Sequence, residues 1–409
     1  MISTAPSTQS TVRIGTAYAA PWSTLGVVPA RKRAQPTGDS AGPAPARPAP
    51  TGPARDPVAD LHQIAFLLER ANEATYRVRA FRGAATALAL LSPDEIATRA
   101  KDGTLTKVNG VGDVTARCVL ESLAGEEPAY LRRLSEADGS DVGEAATALR
   151  RALRGDCHSH SDWSDGGSSI EEMVTTAIRL GHSYLVLTDH SPRLTVARGL
   201  SADRLREQLD VVAALNETLA ASDVDFRVLS GIEVDILADG SLDQEESLLA
   251  ALDVVVGSVH SGLRDDADTM TRRMLAAVRN PHMDILGHCT GRKLAGAGAG
   301  SDRAHRAGRG RPESQFDADA VFTACVEAGK AVEINCRPDR LDPPKRLLSR
   351  AYEIGCMFTI DTDAHAPGQL DWLPNGCERA ALCGVEPERV VNTWPTDRLL
   401  GWAASHSAG

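Results

Sequence analysis

Two patterns of hydrophobic and polar positions divide the chain. Residues 57–136 carry apolar side chains at the three- and four-residue spacing of helices, as at Leu61, Ile64 and Leu68. From residue 151 onward, short apolar runs alternate with longer helical stretches. Strands are expected near 184–188, 227–232, 253–257, 284–287, 331–335 and 356–361, with helices such as 203–220 and 317–328 between them. This alternation predicts repeated strand–helix units and a parallel sheet or barrel.

Four segments fall outside these two patterns. Residues 1–56 are rich in Pro, Ala, Ser and Thr and are expected to form a disordered tail, because they cannot bury enough apolar surface to offset their ordering entropy. Residues 137–150 are expected to be a linker or a connecting helix. Residues 291–312, rich in Gly, Ala and Arg, are expected to be a flexible loop, which is either a phosphate clamp or a surface insertion. The second domain then covers 151–403, and 404–409 is a short tail.

The helical region contains a short turn with two glycines, Gly110 and Gly112, between two predicted helices. A turn of this kind can expose backbone N–H groups at a helix N-terminus, where a phosphate oxygen can bind. A plain connection between helices has the same pattern. The spacing alone therefore leaves both interpretations open.

Composition and charge narrow the range of partners. The formal net charge of −11 argues against adhesion to nucleic acid through a global positive field, so any such contact would need local patches. No apolar run approaches the ~20 residues that span a bilayer, and no secretory signal is recognisable. The eight cysteines show no CxxC pairing and are expected to be free thiols. These features predict a cytoplasmic protein without membrane contact.

Side chains suited to binding metal ions follow nearly every apolar run of the second region. The nine candidate ligands are six histidines and three acids: His158, His160, Asp165, His190, Glu233, His260, His288, Asp363 and His365. They fall at the carboxyl ends of strands, where α/β barrels place their chemistry. One ion takes three or four protein ligands and keeps a position open for catalysis, so nine ligands predict two or three ions.

The ligand types indicate a reaction class. Imidazole and carboxylate together suit Zn, Mn or Fe(II), and Glu233, which lies alone between the clusters, is the expected bridge between two ions. A water on such a cluster becomes a nucleophile near neutral pH, and the ions neutralise charge on phosphoryl oxygens. We therefore expect phosphoester hydrolysis by a metal-bound hydroxide held by Glu233 and Asp363. The other histidines are interpreted as core or surface groups: His62, His182, His282, His305 and His406.

Successive motifs around these ligands resemble those of the PHP (polymerase and histidinol phosphatase) family. They include Asp156-Cys-His-Ser-His160, Thr188-Asp-His190, Gly231-Ile-Glu233, Gly257-Ser-Val-His260, His288-Cys-Thr-Gly-Arg292, Glu333-Ile-Asn335 and Asp361-Thr-Asp-Ala-His365. The resemblance covers about residues 151–403 and implies an α/β fold with a distorted seven-stranded (βα) barrel. It also implies three divalent ions. The family pattern assigns His158, His160, Glu233 and Asp363 to one ion, Glu233, His260 and His288 to a second, and Asp165, His190 and His365 to a third.

Further motifs resemble bacterial family X DNA polymerases. Arg337-Pro-Asp-Arg-Leu-Asp342 and Val391-Asn-Thr-Trp-Pro395 are similar to their PHP domain, and residues 57–136 are similar to their N-terminal helical domain. In that family the segment matching 105–112 is a helix-hairpin-helix that grips the DNA backbone. The resemblance thus implies a small all-α helix-hairpin-helix domain before the barrel. Its expected DNA contacts are Lys107, Gly110, Val111, Gly112, Thr115, Arg77, Arg79 and Arg82.

Two departures from that family limit what can be transferred. Family X polymerases carry a palm and thumb between these domains, whereas only residues 137–150 separate them here, so no polymerase activity is expected. In lyase-active relatives a lysine follows the hairpin's second glycine by six residues, and Cys118 stands at that position. Because a thiol cannot form a Schiff base with an abasic sugar, no deoxyribose-phosphate lyase activity is expected.

Three functions remain to be weighed. The first is a DNA-processing phosphoesterase, namely a 3′-end exonuclease, 3′-phosphatase or abasic-site endonuclease with a role in DNA repair. In this hypothesis Arg198, Arg292 and Arg337 hold the scissile phosphate. The second is a small-molecule phosphomonoesterase of histidinol-phosphatase type, which leaves the helical domain unexplained except as a structural or dimerising unit. The third is a non-catalytic binding module, and the full ligand set argues against it.

Overall fold

The computed structural model describes residues 55–136, 143–295 and 310–407. Nearly all of the tail expected at 1–56 lies outside the described residues, as does the centre of the loop expected at 291–312. The first part of the 137–150 linker and the end of the 404–409 tail also lie outside them.

Five helices form the N-terminal region. They are α1 (Pro57–Arg70), α2 (Thr75–Ala89), α3 (Pro93–Lys101), α4 (Asp113–Leu123) and α5 (Ala129–Glu136). Local sequence sets the helix starts: the Asp56 carboxylate accepts from Val58 N, and Ser92 Oγ accepts from Glu95 N. The periodic apolar residues Leu61, Ile64 and Leu68 are fully buried in one cluster with residues from the other helices. Helical periodicity therefore located this core.

The turn with two glycines connects a short 3₁₀ segment, Leu105–Lys107, to the start of α4. Gly110 has a φ of +92°, a backbone conformation that side chains with a Cβ rarely adopt. Val111 beside it is buried, and Gly112 caps α4. The Gly112 N–H donates to Thr115 Oγ1 at 2.9 Å, which closes the cap. The arrangement leaves the first-turn N–H groups of α4 without intrahelical acceptors.

The second region is built on seven parallel strands in sequence order. They are β1 (Gly155–Ser159), β2 (Tyr184–Leu187), β3 (Arg227–Asp235), β4 (Val254–Ser258), β5 (Ile285–Leu286), β6 (Ala331–Asn335) and β7 (Met357–Asp361). A parallel bridge between Ser159 and Ala364 joins the chain after β7 to β1, and His160 N donates to Ala364 O at 2.8 Å. The sheet thus curls into a nearly closed barrel. The predicted α/β seven-stranded barrel is confirmed.

Nine helices of the described residues surround this barrel. They are α6 (Glu144–Ala152), α7 (Ile170–Arg179), α8 (Ala202–Ala221), α9 (Glu246–Leu249), α10 (Ala267–Val278), α11 (Ala318–Glu327), α12 (Lys345–Ile354), α13 (Leu373–Leu382) and α14 (Thr396–Ser405). Strand residues are buried on both faces, as continuous apolar runs predict for parallel strands. Ala146 and Leu149 of α6 lie in the same buried cluster as barrel residues. The helical layer of the barrel therefore begins within the segment expected to be a linker or a connecting helix.

Two further expectations concern the whole chain. All eight cysteines are free thiols, and seven of them are buried. Among the described residues, no helix combines the length and the apolar character that a membrane span requires.

Candidate metal centre

The nine candidate ligands converge at the carboxyl edge of the barrel. Six of the seven strands bring them there, either within the strand, as for His158 in β1, or just after it, as for His260 beyond β4. Most are deeply buried, and Asp165 is the most exposed, with 37% of its side-chain surface accessible. One edge of the sheet thus collects side chains from sequence positions more than 200 residues apart.

Glu233 occupies the middle of the group. Its carboxylate oxygens face five imidazoles at 2.8–3.6 Å: His158 Nε2, His160 Nε2, His190 Nδ1, His260 Nε2 and His288 Nε2. No other carboxylate of the described residues touches so many of these rings. A carboxylate shared between ions would need such a position, and the bridging role expected for Glu233 stays a prediction.

The other two acids lie on either side of this middle group. Asp363 Oδ1 is 3.5 Å from His160 Nε2. Asp165 Oδ1 is 3.4 Å from His190 Nε2 and 3.3 Å from His365 Nε2. Ligand atoms close enough to share an ion form three overlapping groups: His160, Asp165, His190 and His365; His158, His160 and Asp363; His190, Glu233 and His260.

The donor atoms at the centre of the group are suited to binding metal ions. Several buried nitrogens and one oxygen at the centre have no hydrogen-bond partner among the described residues: His158 Nε2, His160 Nε2, His190 Nδ1, His260 Nε2 and Glu233 Oε2. Buried polar atoms are normally paired, and lone pairs aimed into one space are what divalent ions satisfy. The mixture of imidazole and carboxylate is the donor set of Zn, Mn or Fe(II).

Neighbouring charges keep the acids ionised despite burial. Burial opposes ionisation of Glu233, but the facing imidazoles of His260 and His158 outweigh it and hold the pKa of this carboxyl well below its usual range. Burial likewise opposes ionisation of Asp363, and Arg337 and Arg340 hold its pKa well below the usual range. Both acids are therefore anionic ligands at neutral pH.

The imidazoles divide into two classes. Burial lowers the pKa of His160, and the adjacent His365 and His190 lower it further, so this ring stays neutral. For His260, burial also lowers the pKa, but Glu233 and Asp235 outweigh it and raise the value to about 9. An ion that binds His260 must therefore displace a proton from the ring, whereas an ion that binds the neutral ring of His160 displaces none.

Two further carboxylates support these residues, and neither was given a role from the sequence, although Glu333 was quoted in the motif Glu333-Ile-Asn335. Glu333 of β6 is fully buried; its Oε1 lies 2.5 Å from His158 Nδ1, and its Oε2 accepts from His288 N at 2.5 Å. Asp235 Oδ1 lies 3.6 Å from His260 Nδ1. β6 is the one strand that contributes none of the nine ligands. An acid in its otherwise apolar run was the signal that could have found Glu333.

Two arginines, one predicted and one not, contact Asp363. Arg337 Nη1 lies 3.3 Å from Asp363 Oδ1, and Arg340 Nε lies 3.1 Å from its Oδ2. Arg337 Nη1 is also 3.0 Å from His365 Nδ1. Asp363 itself has a φ of +53°, a left-handed conformation that is costly for a residue other than glycine and is found at functional sites.

The other two predicted phosphate ligands are held by backbone carbonyls. Arg198 Nη2 donates to the oxygens of Asp162 and Ser164. Arg292 Nε donates to Arg340 O at 2.9 Å, and its Nη2 donates to Leu341 O. These bonds fix loops beside the metal centre and occupy part of each guanidinium. Of the three predicted arginines, Arg337 is the one that the structure brings against a ligand carboxylate.

The residues predicted to contact DNA differ in availability. Lys107, Gly110, Gly112 and Arg79 are exposed, whereas Val111 and Thr115 are buried in the frame of the hairpin. Two of the predicted arginines have partners within the protein: Arg77 donates to Tyr130 Oη and lies 2.8 Å from Glu73, and Arg82 pairs with Glu69 and Glu172. Cys118 is buried in α4, and burial raises the pKa of its thiol to about 11.

Four of the five histidines interpreted as structural are among the described residues, and none of the four belongs to the ligand groups. His182 is buried, and burial together with Arg150 lowers its pKa to about 3. His406 Nδ1 pairs with Asp284 Oδ1 at 2.6 Å. His62 and His282 are likewise absent from the three ligand groups found among the described residues, and His305 lies outside those residues.

Comparison with known proteins finds relatives that share the part of the chain that carries this site. Residues 156–337 match the family described as PHP domain. The Bacillus subtilis protein named DNA polymerase/3′-5′ exonuclease PolX is 38% identical over 240 residues, which cover 59% of this chain and 39% of that protein. The chain thus spans well under half the length of this relative.

Two further matches cover most of shorter proteins. A "Probable phosphatase" from Thermoanaerobacter sp. (strain X514) is 26% identical over 253 residues, covering 58% of this chain and 89% of that protein. The solved histidinol phosphate phosphatase of Lactococcus lactis, complexed with Zn, L-histidinol and phosphate, is 19% identical, with a TM-score of 0.38, and the match covers 56% of this chain and 92% of that chain.

Proposed function

We propose that the chain is a metal-dependent phosphoesterase whose substrate is DNA, since residues 156–337 match the PHP domain family. We infer the metal dependence from the ligand atoms around Glu233 that have no hydrogen-bond partner. The reaction classes proposed are removal of a nucleotide or phosphate from a 3′ end and cleavage at an abasic site.

The protein's own residues prepare this chemistry. Divalent ions bound by the nine ligands would activate both water and the phosphoester as Lewis acids. Glu233 and Asp363 supply the anionic charge that holds ions in place, and their low pKa keeps that charge at neutral pH. Glu333 orients the His158 imidazole by pairing with its Nδ1, and Asp235 holds the backbone of His260 by accepting from His260 N at 3.0 Å.

Arg337 is the side chain best placed to bind the phosphate. Its guanidinium lies at the rim of the centre, with Nη1 near both Asp363 and His365 and with Nε paired to Asp339 at 3.3 Å. A guanidinium can exchange such contacts for two parallel bonds to phosphate oxygens. Arg340, which is largely buried, stays with Asp363 and keeps that carboxylate in position.

The choice of DNA rests on the helical domain and on the polymerase relative. The N-terminus of α4, the exposed Gly110 and Gly112, and the exposed Lys107 form one surface that can bind a phosphate backbone without reading bases. Asp113 in the first turn of α4 is exposed and acidic, so Lys107 carries the attraction. Since only residues 137–150 separate the two domains and Cys118 is buried, neither polymerase nor lyase chemistry is proposed.

A second candidate function has its own support. The relatives named as phosphatases match over nearly their full length, whereas the polymerase relative matches over 39% of its length. A small-molecule phosphomonoesterase of histidinol-phosphatase type would use the same metal centre. It would leave the hairpin surface without a role in catalysis, and this difference makes the two functions separable.

One experiment separates them. Protein loaded with Mn²⁺ or Zn²⁺ is offered a duplex with a recessed 3′ end, a duplex with an abasic site, and histidinol phosphate. Lys107→Glu reverses the exposed charge of the hairpin, and Lys101→Glu makes the same change on α3 of the same domain as a control. Asp363→Ala removes a ligand and serves as the inactive reference.

The expected result is that Lys107→Glu cleaves DNA at least about tenfold more slowly than Lys101→Glu, with a weaker dependence on salt. Its hydrolysis of any small phosphoester should be unchanged. Equal DNA cleavage by both lysine variants would refute the role of the hairpin. Hydrolysis of histidinol phosphate alone would favour the second function.

A further inference from the structure

A buried ion pair joins the helical domain to the barrel. Glu69, at the end of α1, has a side chain that is only 3% exposed. Its carboxylate accepts from Arg82 Nε at 2.5 Å and from Arg82 Nη2 at 3.0 Å. A buried bidentate pair of this kind is rigid, because both planar groups fix each other's orientation.

The same carboxylate reaches the loop that carries one metal ligand. Glu69 Oε2 accepts from Gly368 N at 2.8 Å. Gly368 is three residues beyond His365, in the 3₁₀ segment Pro367–Trp372, and the next residue, Gln369, accepts from His365 N at 2.7 Å. A Cβ at Gly368 would lie 2.2 Å from Phe66 O of α1, so the loop and the helix are in direct contact.

The other half of the pair reaches the helix that follows the loop carrying a second ligand. Arg82 Nη1 lies 2.9 Å from Glu172 in the first turn of α7. α7 follows the loop that carries Asp165, and within that loop Gly167 N donates to His365 O at 2.7 Å. The Asp165 loop and the His365 loop are therefore tied both to each other and to the helical domain.

We propose that the Glu69–Arg82 pair is a positioning element for the metal centre, and that the ion site formed by Asp165, His190 and His365 reaches its full affinity only while the helical domain is docked. Asp165 and His365 are the most exposed members of the nine-ligand set. Since these two side chains are the least enclosed by the barrel, a contact from outside the barrel has the most effect on them. The remaining ligands lie on or beside buried strands and do not depend on this contact.

Two independent substitutions in the full chain break the contact. Glu69→Ala removes the acceptor of Gly368 N, and Gly368→Ala forces the loop away from α1 without changing any charge. Each has a matched control. Glu121→Ala removes a comparable carboxylate that accepts from Ala129 N at 2.8 Å inside the helical domain. Gly401→Ala changes an exposed glycine of α14 that has open space around it.

The readout is ion binding rather than DNA cleavage. Metal-free protein is titrated with Co²⁺, whose visible spectrum reports ligand geometry, and retained ions are counted by mass spectrometry after passage over a chelating resin. Glu69→Ala and Gly368→Ala are each expected to bind one class of ion about tenfold more weakly than wild type, with the other class unchanged. Both controls should match wild type, even if Glu121→Ala lowers the thermal stability of the metal-free protein.

Several outcomes would overturn the proposal. If both test variants bind every ion as tightly as wild type, the pair only docks the domains. If they lose all ions together, the effect is not confined to the site at His365. This inference rests on the proposed metal centre, and different results would refute each. A wild-type protein that binds no ions would refute the metal centre itself.

Discussion

Glu333→Gln tests how the metal centre is organised with the smallest possible change of shape. The Glu333 carboxylate can only accept hydrogen bonds, so its contact at 2.5 Å places the proton of His158 on Nδ1 and leaves Nε2 free to bind an ion. Its second oxygen accepts from the backbone N–H of His288. An amide must keep its oxygen for one of these partners and turn its NH₂ group toward the other.

Either orientation of the amide damages the site. With the NH₂ group toward His158, the ring is driven to the tautomer whose Nε2 carries a proton and cannot bind an ion. With the NH₂ group toward His288 N, two donors face each other in a fully buried position. Loss of an orienting carboxylate typically weakens metal binding about 10- to 100-fold, which corresponds to about 1.4–2.7 kcal/mol. We expect an effect of that size on the ion held by His158.

The assay is a competition for Zn²⁺ against a chelator of known affinity, followed by activity as a function of metal concentration. Activity at saturating metal should largely return, because the ligands themselves are unchanged. Glu353→Gln, an exposed acid of α12 paired with Arg350, is the control and should match wild type. If Glu333→Gln binds Zn²⁺ within twofold of wild type, Glu333 does not determine the tautomer of His158.

Three further predictions follow from the same geometry. An ion binds only the neutral ring, and the pKa of His260 is raised to about 9 and that of His158 is also raised in the metal-free protein, so metal affinity should rise at least about tenfold from pH 7 to pH 8. Calorimetry in buffers of different ionisation enthalpy would show protons released on binding, and a pH-independent affinity would refute this. Arg337→Met should raise the KM for a phosphoester at least about tenfold with a smaller change in kcat, and equal losses in both would argue against a role in ground-state binding. Gly155→Ala should lower the unfolding free energy by about 1–3 kcal/mol because its Cβ would lie 2.3 Å from the Tyr184 ring, as measured by denaturant titration against Gly401→Ala, and an unchanged midpoint would contradict the packing.

Most of the fold could be predicted because each element is encoded locally. The apolar runs predicted near 331–335 and 356–361 correspond to β6 (Ala331–Asn335) and β7 (Met357–Asp361), since only buried parallel strands place short continuous apolar segments between helices. The length of β5 was harder to predict, because only two residues, Ile285 and Leu286, pair with both neighbouring strands. The packing of α6 against the barrel could not be predicted, because its small apolar residues give no sign of which surface they cover.

The ligand residues were visible in the sequence, but the groups that orient them were not. A metal ligand can be recognised in the sequence from its residue type and its position after a strand. Glu333 and Arg340 have roles that depend on contacts across the barrel, which the sequence does not show. The predicted stripe of Arg77, Arg79 and Arg82 shows the opposite problem. The resemblance implied that all three contact DNA, yet Arg82 faces Glu69 in the interface with the barrel, because a motif does not reveal what lies opposite a helix.

The charge of the whole chain is a poor guide to what approaches this site. The net charge of −11 includes the ligand acids, which bound divalent ions would neutralise. On one side of the centre, Arg337 and Arg340 contact Asp363, and the base of the Arg/Gly loop lies beside them: Lys293 and Arg311 form a short antiparallel bridge, and Leu294 N donates to Asp339 O. Burial lowers the pKa of Lys293, and the nearby Arg340 lowers it further, which shows how closely these cations are placed. Salt screens charges beyond about a Debye length, so a phosphoester near the site responds to this local positive charge. The negative net charge of the whole chain does not prevent that attraction.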